Sequence, residues 1–264
     1  MYATRYIKAG NIDEAVAALN SAEDGKILAG GMTLIPTLKQ RLAAPDCLID
    51  LSASGLSSIT DEGEEIAIGA MTTHAEVEHS AIIQEFLPVL AQLAGGIGDR
   101  QVRNRGTIGG SIANNDPAAC YPAAILGLDA SIQTNKRLIA AEDYFTGMFE
   151  TALAEDEIIT EIRFAKTRHA SYVKFSNPAS RYAMVGVCVA RSDTGEVRVA
   201  ITGAGQDGVF RHAGLEAALT ADFNSDSIDI VEIEDSALMS DIHASADYRA
   251  HLIKEMTRRA VRAI

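Results

Sequence analysis

The stretch that most constrains this chain runs from Gly98 to Ala123 and reads GDRQVRNRGTIGGSIANNDPAACYPA. Gly98, Gly106, Gly109 and Gly110 fall within thirteen residues, and Thr107, Ser111, Asn114 and Asn115 set small hydrogen-bonding side chains between and after them. Glycine has no Cβ, so such a segment lets a ligand approach its backbone, and successive N–H groups can form a concavity that holds an anion. Arg100, Arg103 and Arg105 stand just upstream in a chain of net charge −13. Local positive charge in an acidic protein points to a bound phosphate, with three solvated arginines as the plainer alternative.

A second segment of the same character, Ala29-Gly30-Gly31-Met32-Thr33, follows the apolar pair Ile27-Leu28 and precedes Leu34-Ile35-Pro36. It reads as a strand-to-helix turn with Thr33 as N-cap and Pro36 in the first turn, which gathers N–H groups and the positive end of a helix at one spot. Neither segment is a G-x-G-x-x-G and neither carries G-K-[ST], so the dinucleotide fingerprint and the P-loop are both absent. Two glycine turns, each set among Thr and Ser, predict a two-sided clamp for a diphosphate.

The rest of the chain supplies no reaction centre of its own. The cysteines, Cys47, Cys120 and Cys188, number only 3 and are far apart, too few for an iron–sulfur cluster and without the C-x-x-C of a zinc site. His74 and His79 do not share a helix face, and His74 with Glu78 reads as a surface pair; the other histidines are scattered. No G-x-S-x-G or H-E-x-x-H occurs. Catalytic residues and metal ligands are therefore expected to be absent, and any chemistry to come from a cofactor. With 36 acidic against 23 basic residues, a nucleic-acid partner is not expected. MYATRYIKAG lacks the apolar core of a signal peptide and no run is long enough to span a membrane, so a cytoplasmic protein is expected.

Read in order, Asn11 to Asn20 is a capped helix, Ile27-Leu28 and Cys47 to Leu51 are strands, and Leu34 to Leu42 is the crossover helix of a small parallel α/β lobe over residues 1–53. Residues 54–166 alternate short strands and helices. Thr73-His74-Ala75-Glu76 forms a capping box, and Pro88 breaks the helical run from Ile82 to Leu93. From 167 to 264 the pattern gives strands Tyr172 to Phe175, Met184 to Ala190 and Val197 to Ile201, with a turn at Asp193-Thr194-Gly195 and an amphipathic helix from Ala246 to Ile264. The fold class is α+β: a two-lobed domain over 1–166 followed by a small C-terminal sheet-plus-helices domain. Arg103, Tyr248 and Arg249 are the candidates for interface residues.

AGGMTLIP and RNRGTIGGSIANNDPAACYPA resemble the two flavin-binding signatures of the FAD-carrying medium subunit of molybdenum hydroxylases, the family of carbon monoxide dehydrogenase and bacterial xanthine dehydrogenase-like enzymes. The likeness runs from IDEAVAAL near the start to DIHASADYRAHLIKEMTRRAV near the end. It implies FAD as cofactor, with the diphosphate held by Ala29, Gly30, Gly31, Met32 and Thr33 and by Thr107, Ile108, Gly109, Gly110 and Ser111. Asp116 matches an aspartate that positions the loop and ribityl chain, and Cys120 stands where the family commonly has a carboxylate. Ile159 matches a backbone contact to the flavin ring, Lys174 a lysine near the flavin, and Tyr182 an aromatic over one flavin face. Read from the residues alone, Lys174 is as well explained as a strand lysine facing solvent, and Tyr182 as core packing.

The resemblance further implies an electron-transfer subunit, working with a 2Fe-2S small subunit and a molybdopterin large subunit in a dimer of heterotrimers. The rival readings are a stand-alone FAD-dependent oxidase or reductase and a non-redox nucleotide-binding scaffold.

Overall fold

The computed structural model describes residues 1–264. The first lobe is a three-stranded parallel sheet, built from β1 (Arg5–Lys8), α1 (Ile12–Ser21), β2 (Gly25–Leu28), α2 (Leu34–Lys39) and β3 (Cys47–Asp50), with strand order β1-β3-β2. Strand β3 reads as a continuous apolar run because it is central, and all four of its residues are buried. Asn11 caps α1 by accepting from the Glu14 amide at 2.9 Å, while the Glu14 carboxylate takes the Gly10 N–H at 2.8 Å. Strand β1, with its mixed exposure and no alternation, is not visible in the sequence pattern. Helix α2 ends at Lys39, three residues short of the expected Leu42, because Arg41 turns left-handed at φ 62° and the Leu42 amide returns to the Thr37 carbonyl.

The second lobe carries β4 (Ile59–Asp61), β5 (Glu65–Gly69), α3 (His74–His79), α4 (Ala81–Phe86), α5 (Pro88–Gly95), α6 (Arg100–Arg103), α7 (Ile108–Asn114), α8 (Tyr121–Gly127), β6 (Ser131–Thr134), β7 (Leu138–Ala140), α9 (Ala141–Tyr144), β8 (Phe145–Gly147), β9 (Glu150–Thr151) and β10 (Ile159–Ala165). Five of these strands form an antiparallel sheet in the order β4-β5-β10-β6-β7, with β8 and β9 as a separate pair. Thr73 and Glu76 make the expected reciprocal capping box on α3, and the chain breaks between α4 and α5 at Leu87, with Pro88 in the first turn of α5. The glycine-rich stretch from Gly98 is not one open loop. Short helices α6, α7 and α8 occupy most of it.

The last part contains β11 (Ala170–Ser176), β12 (Ala183–Arg191), β13 (Val197–Gly205), β14 (Gly208–Arg211), α10 (Ala213–Ala221) and α11 (Ala246–Arg262). The four strands pair antiparallel in sequence order. Strand β12 is buried on both faces. Val185, Val187 and Val189 pack toward Leu252, Ile253 and Met256 of α11, whereas Cys188, of opposite parity, joins the core of the second lobe beside Gly127. The third sheet is therefore sandwiched between its own helices and α8. Arg249, proposed above as an interface residue, is instead buried at 3% exposure. Its guanidinium donates to the carbonyls of Met184 (2.6 Å) and Gly203 (2.5 Å) and to Asp241 (2.8 Å), so it ties α11 to the sheet. Tyr248 is the partly exposed neighbour, edge-on to Phe175.

Candidate functional site

The first glycine turn leaves β2 at Leu28, whose carbonyl is taken by the Leu51 amide, and from there the backbone N–H groups stop donating to the chain. The consecutive amide N–H groups of Ala29, Gly30, Gly31, Met32, Thr33 and Leu34 donate to no acceptor in the protein. A run of backbone donors without partners is costly unless water or a ligand accepts from them. Gly31 is required by its φ of +73°, with Ile35 and Leu28 closing in behind it. The expected N-cap does not form. Thr33 already has helical backbone angles and its hydroxyl accepts nothing from α2: the Ile35 amide it would have satisfied donates to the Gly31 carbonyl at 3.0 Å instead, and Pro36 has no N–H to offer.

The second turn lies against the first but works differently. Thr107 caps α7 by accepting from the Gly110 amide at 3.1 Å. The Ile108 amide donates to Thr72 O, the Gly109 amide to Ala70 O and the Ser111 amide to Thr107 O, at 2.9–3.0 Å. The anion-cradle reading of this segment needs correcting accordingly: these amides are spent inside the protein. Gly109 is small because a Cβ there would lie 2.6 Å from Ala70, against both its Cβ and its carbonyl oxygen. What the segment turns to the cavity is the flank of α7, with Ser111 and Asn114.

The arginines are a second correction, since none of Arg100, Arg103 and Arg105 lines the cavity. Arg103 is held by Glu78 at 2.8 Å and donates to Ile97 O, so it is neither a phosphate ligand nor a free interface residue. Arg105 contributes its backbone carbonyl, packed against Gly30.

Between the two turns and the edge of the third sheet is a cavity of about 680 Å³. Every residue named above for the cofactor lines it except Ile108, which is fully buried in the core of the second lobe. Asn115, left-handed at φ 42°, anchors the bend with amide bonds of 2.8 Å to the carbonyls of Gly147 and Glu150. Asp116 then accepts from the Ala118 amide at 2.9 Å. The following residues are stitched to the third sheet: the single Thr202 hydroxyl hydrogen is shared between Pro117 O (2.9 Å from Oγ1) and Ala119 O (2.7 Å), and the amides of Gly203 and Ala183 donate to Pro117 O and Ala118 O.

Cys120 lies at the end of this segment and is 5% exposed. Lys174 Nζ sits 3.4 Å from its sulfur and donates to Gly96 O (2.8 Å) and Arg181 O (3.0 Å). The lysine is thus part of the cavity wall and not a solvent-facing strand residue. Tyr182 is half exposed at the rim, and partial burial, with Asp116 nearby, raises its phenol above the ordinary range.

Several lining residues carry no motif that would have singled them out, among them Ile97, Leu153 and Arg181. His74 is the largest departure. Expected at the surface beside Glu78, it is 5% exposed, lines the cavity and packs on the Tyr121 ring at 5.3 Å. Burial, with Arg103 nearby, lowers its pKa to about 4, so its imidazole is neutral at pH 7.

The donor set matches a dinucleotide. Free amides and hydroxyls suit a diphosphate, apolar walls from Leu51, Ile97 and Ile159 suit flat rings, and Lys174 adds one cation at the far side.

Residues 2–166 match the model of the FAD binding domain in molybdopterin dehydrogenase. The chain is 34% identical to the nicotine 6-hydroxylase medium subunit of Paenarthrobacter nicotinovorans, over 98% of this chain and 96% of that one. It is 34% identical to the carbon monoxide dehydrogenase medium chain of Hydrogenophaga pseudoflava, over 96% of this chain and 94% of the relative. A solved structure of carbon monoxide dehydrogenase from Hydrogenophaga pseudoflava superposes with a TM-score of 0.87 at 33% identity, covering 99% of this chain and 97% of its own. That agreement extends to the mixed α+β architecture with one parallel and several antiparallel sheets.

Proposed function

Because this chain belongs to the family of FAD-binding domains in molybdopterin dehydrogenases, we propose that it is the electron-transfer subunit of a multi-subunit molybdenum hydroxylase. It takes electrons from 2Fe-2S clusters on a small partner subunit, which receives them from a molybdopterin-bearing large subunit, and passes them to an external acceptor. The assembly is a dimer of heterotrimers in the cytoplasm; no helix of the chain is long and apolar enough to cross a membrane. Residues 1–166 form the flavin-binding unit and 167–264 a C-terminal unit of the carbon monoxide dehydrogenase flavoprotein type.

The observation that carries this reading is the unbroken run of free amides from Ala29 to Leu34 at the wall of the cavity. Those amides hold the diphosphate, with Thr33 and Ser111 hydroxyls beside them. Asp116 accepts from ribityl hydroxyls, a role the thiol of Cys120 fills poorly because sulfur is a weak acceptor. Ile159 and Tyr182 bound the ring system and limit water at its face. Lys174, fixed by two carbonyls, sets positive charge where it favours added electron density. The bound flavin supplies the ability to exchange electrons singly or in pairs.

The test is a visible spectrum of the purified chain with identification of the cofactor released on denaturation. Flavin bands with released FAD are expected. A chain that stays colourless after incubation with FAD, alone and with its partner subunits, overturns the reading, and native purification without iron or molybdenum overturns the assembly.

A further inference from the structure

His74 occupies a place that neither the family signatures nor the helix pattern assigns. Its backbone amide donates to Gly106 O at 2.9 Å, and its ring rests on Tyr121. Its Nδ1 is sealed from solvent and has no hydrogen-bond partner. Nε2 is not sealed in this way, and it abuts Gly106, where an added Cβ would come within 2.6 Å of it. Gly106 in turn touches the first turn, because a Cβ on Gly30 would lie 2.9 Å from the Gly106 Cα. A continuous line of contacts therefore runs from the free amides, through Gly30 and Gly106, to the imidazole.

A neutral imidazole carries one N–H. Placing that hydrogen on the sealed Nδ1 would bury a donor with nothing to receive it, whereas a bare ring nitrogen is the lesser loss. The proton accordingly belongs on Nε2, the nitrogen at the junction of the two turns, in a residue that lines the cavity.

We infer that His74 is a further hydrogen-bond donor of this cavity, giving its Nε2–H to the diphosphate of the bound dinucleotide. The inference rests on the flavin reading above and adds to it a residue outside both signatures. It also accounts for the glycine at position 106, which gives the ring room to reach the turns.

The experiment compares FAD and riboflavin, which lacks the diphosphate, as ligands of the deflavinated full-length chain, using quenching of flavin fluorescence. His74→Leu should weaken FAD binding about tenfold or more, the scale of one hydrogen bond to a charged group, and leave riboflavin unchanged. His74→Gln, whose amide N–H extends toward the Nε2 position, should restore FAD binding to within a few-fold. His74→Asn, whose amide ends near the Nδ1 position, should not. Because both amide variants are polar, their comparison holds even if the leucine variant folds poorly.

Equal losses for FAD and riboflavin, or equal affinities for the Gln and Asn variants, overturn the role of His74. If the unmodified chain binds no FAD, it is the flavin reading that fails.

Discussion

Gly30 and Arg105 meet backbone to backbone, so tightly that a Cβ on Gly30 would lie 2.0 Å from the Arg105 carbonyl oxygen. The two glycine turns are thereby locked at a fixed separation. No rotamer change relieves such a clash, since the opposing atom is main chain. Gly30→Ala should cost on the order of 2 kcal/mol in stability, and FAD content should fall with it. Denaturant titration and the flavin-to-protein absorbance ratio measure both, and a fully flavinated, equally stable variant would refute the locked contact.

The adjacent glycines of α7 should respond unequally. A methyl on Gly109 meets the Ala70 carbonyl oxygen and Cβ at 2.6 Å, while one on Gly110 meets Thr107 Oγ1 at 2.8 Å and Ala29 Cβ at 3.3 Å. Thr107 can give way, at the expense of its N-cap bond, about 1 kcal/mol. Gly109→Ala should therefore lower the thermal midpoint more than Gly110→Ala. The reverse order would mean that the second turn is not seated on Ala70 and Thr72 as described.

Acid should act through His74. Its folded pKa of about 4 lies below the unfolded value near 6.5, so the unfolded chain gains a proton that the folded chain resists. Nothing is lost above pH 6.5, the loss grows as pH falls toward 4, and below that it levels off at about 3 kcal/mol. Unfolding free energies of the flavin-free native chain and of flavin-free His74→Leu, compared at pH 7 and pH 4.5, should show a shallower decline for the variant. Parallel declines would rule out the buried histidine as the cause.

Lys174 offers an electrochemical test. Its ammonium is fixed by Gly96 O and Arg181 O, and no carboxylate pairs with it. Lys174→Met should lower the flavin potential by on the order of 50 mV, because reduction places negative charge near the lost cation. Potentiometric titration of the bound flavin decides. An unchanged potential would show that the lysine serves only to tie Gly96 to Arg181.

Arg249 should matter for folding and not for flavin chemistry. Removing it takes the guanidinium donor from the buried Met184 and Gly203 carbonyls and from Asp241 Oδ2, while Asp241 Oδ1 keeps the His243 and Ala244 amides. Arg249→Met should cost about 3 kcal/mol in denaturant titrations. A change within experimental error would mean that water replaces the guanidinium.

What the sequence discloses here is local. The Asn11 cap, the Thr73–Glu76 box, the break at Pro88 and the turn at Asp193-Thr194-Gly195 each depend on a few adjacent residues, and each appears as expected. Part of the cavity wall is legible too, in the two glycine turns, whereas Lys174 is assigned to it only by the family resemblance. Decisions between distant segments are not legible. Thr33 looks like a cap, but its backbone already follows the helix. The amides after Thr107 look available until Ala70 and Thr72 are placed beside them. His74 and Arg249 are polar residues on helices, and only the packing of Tyr121 and of β12–β13 buries them.

The stitching of Pro117, Ala118 and Ala119 to Thr202, Gly203 and Ala183 bears on how this protein can be divided. The bend that carries Asp116 to Cys120 lies early in the chain, yet it is held in shape by strands that follow residue 180. A shortened chain ending at residue 166 would keep both glycine signatures and lose the brace behind one wall of the cavity. The shape of this cavity therefore depends on an intact C-terminal sheet, and exchanging that sheet between relatives would exchange the support of one cavity wall with it.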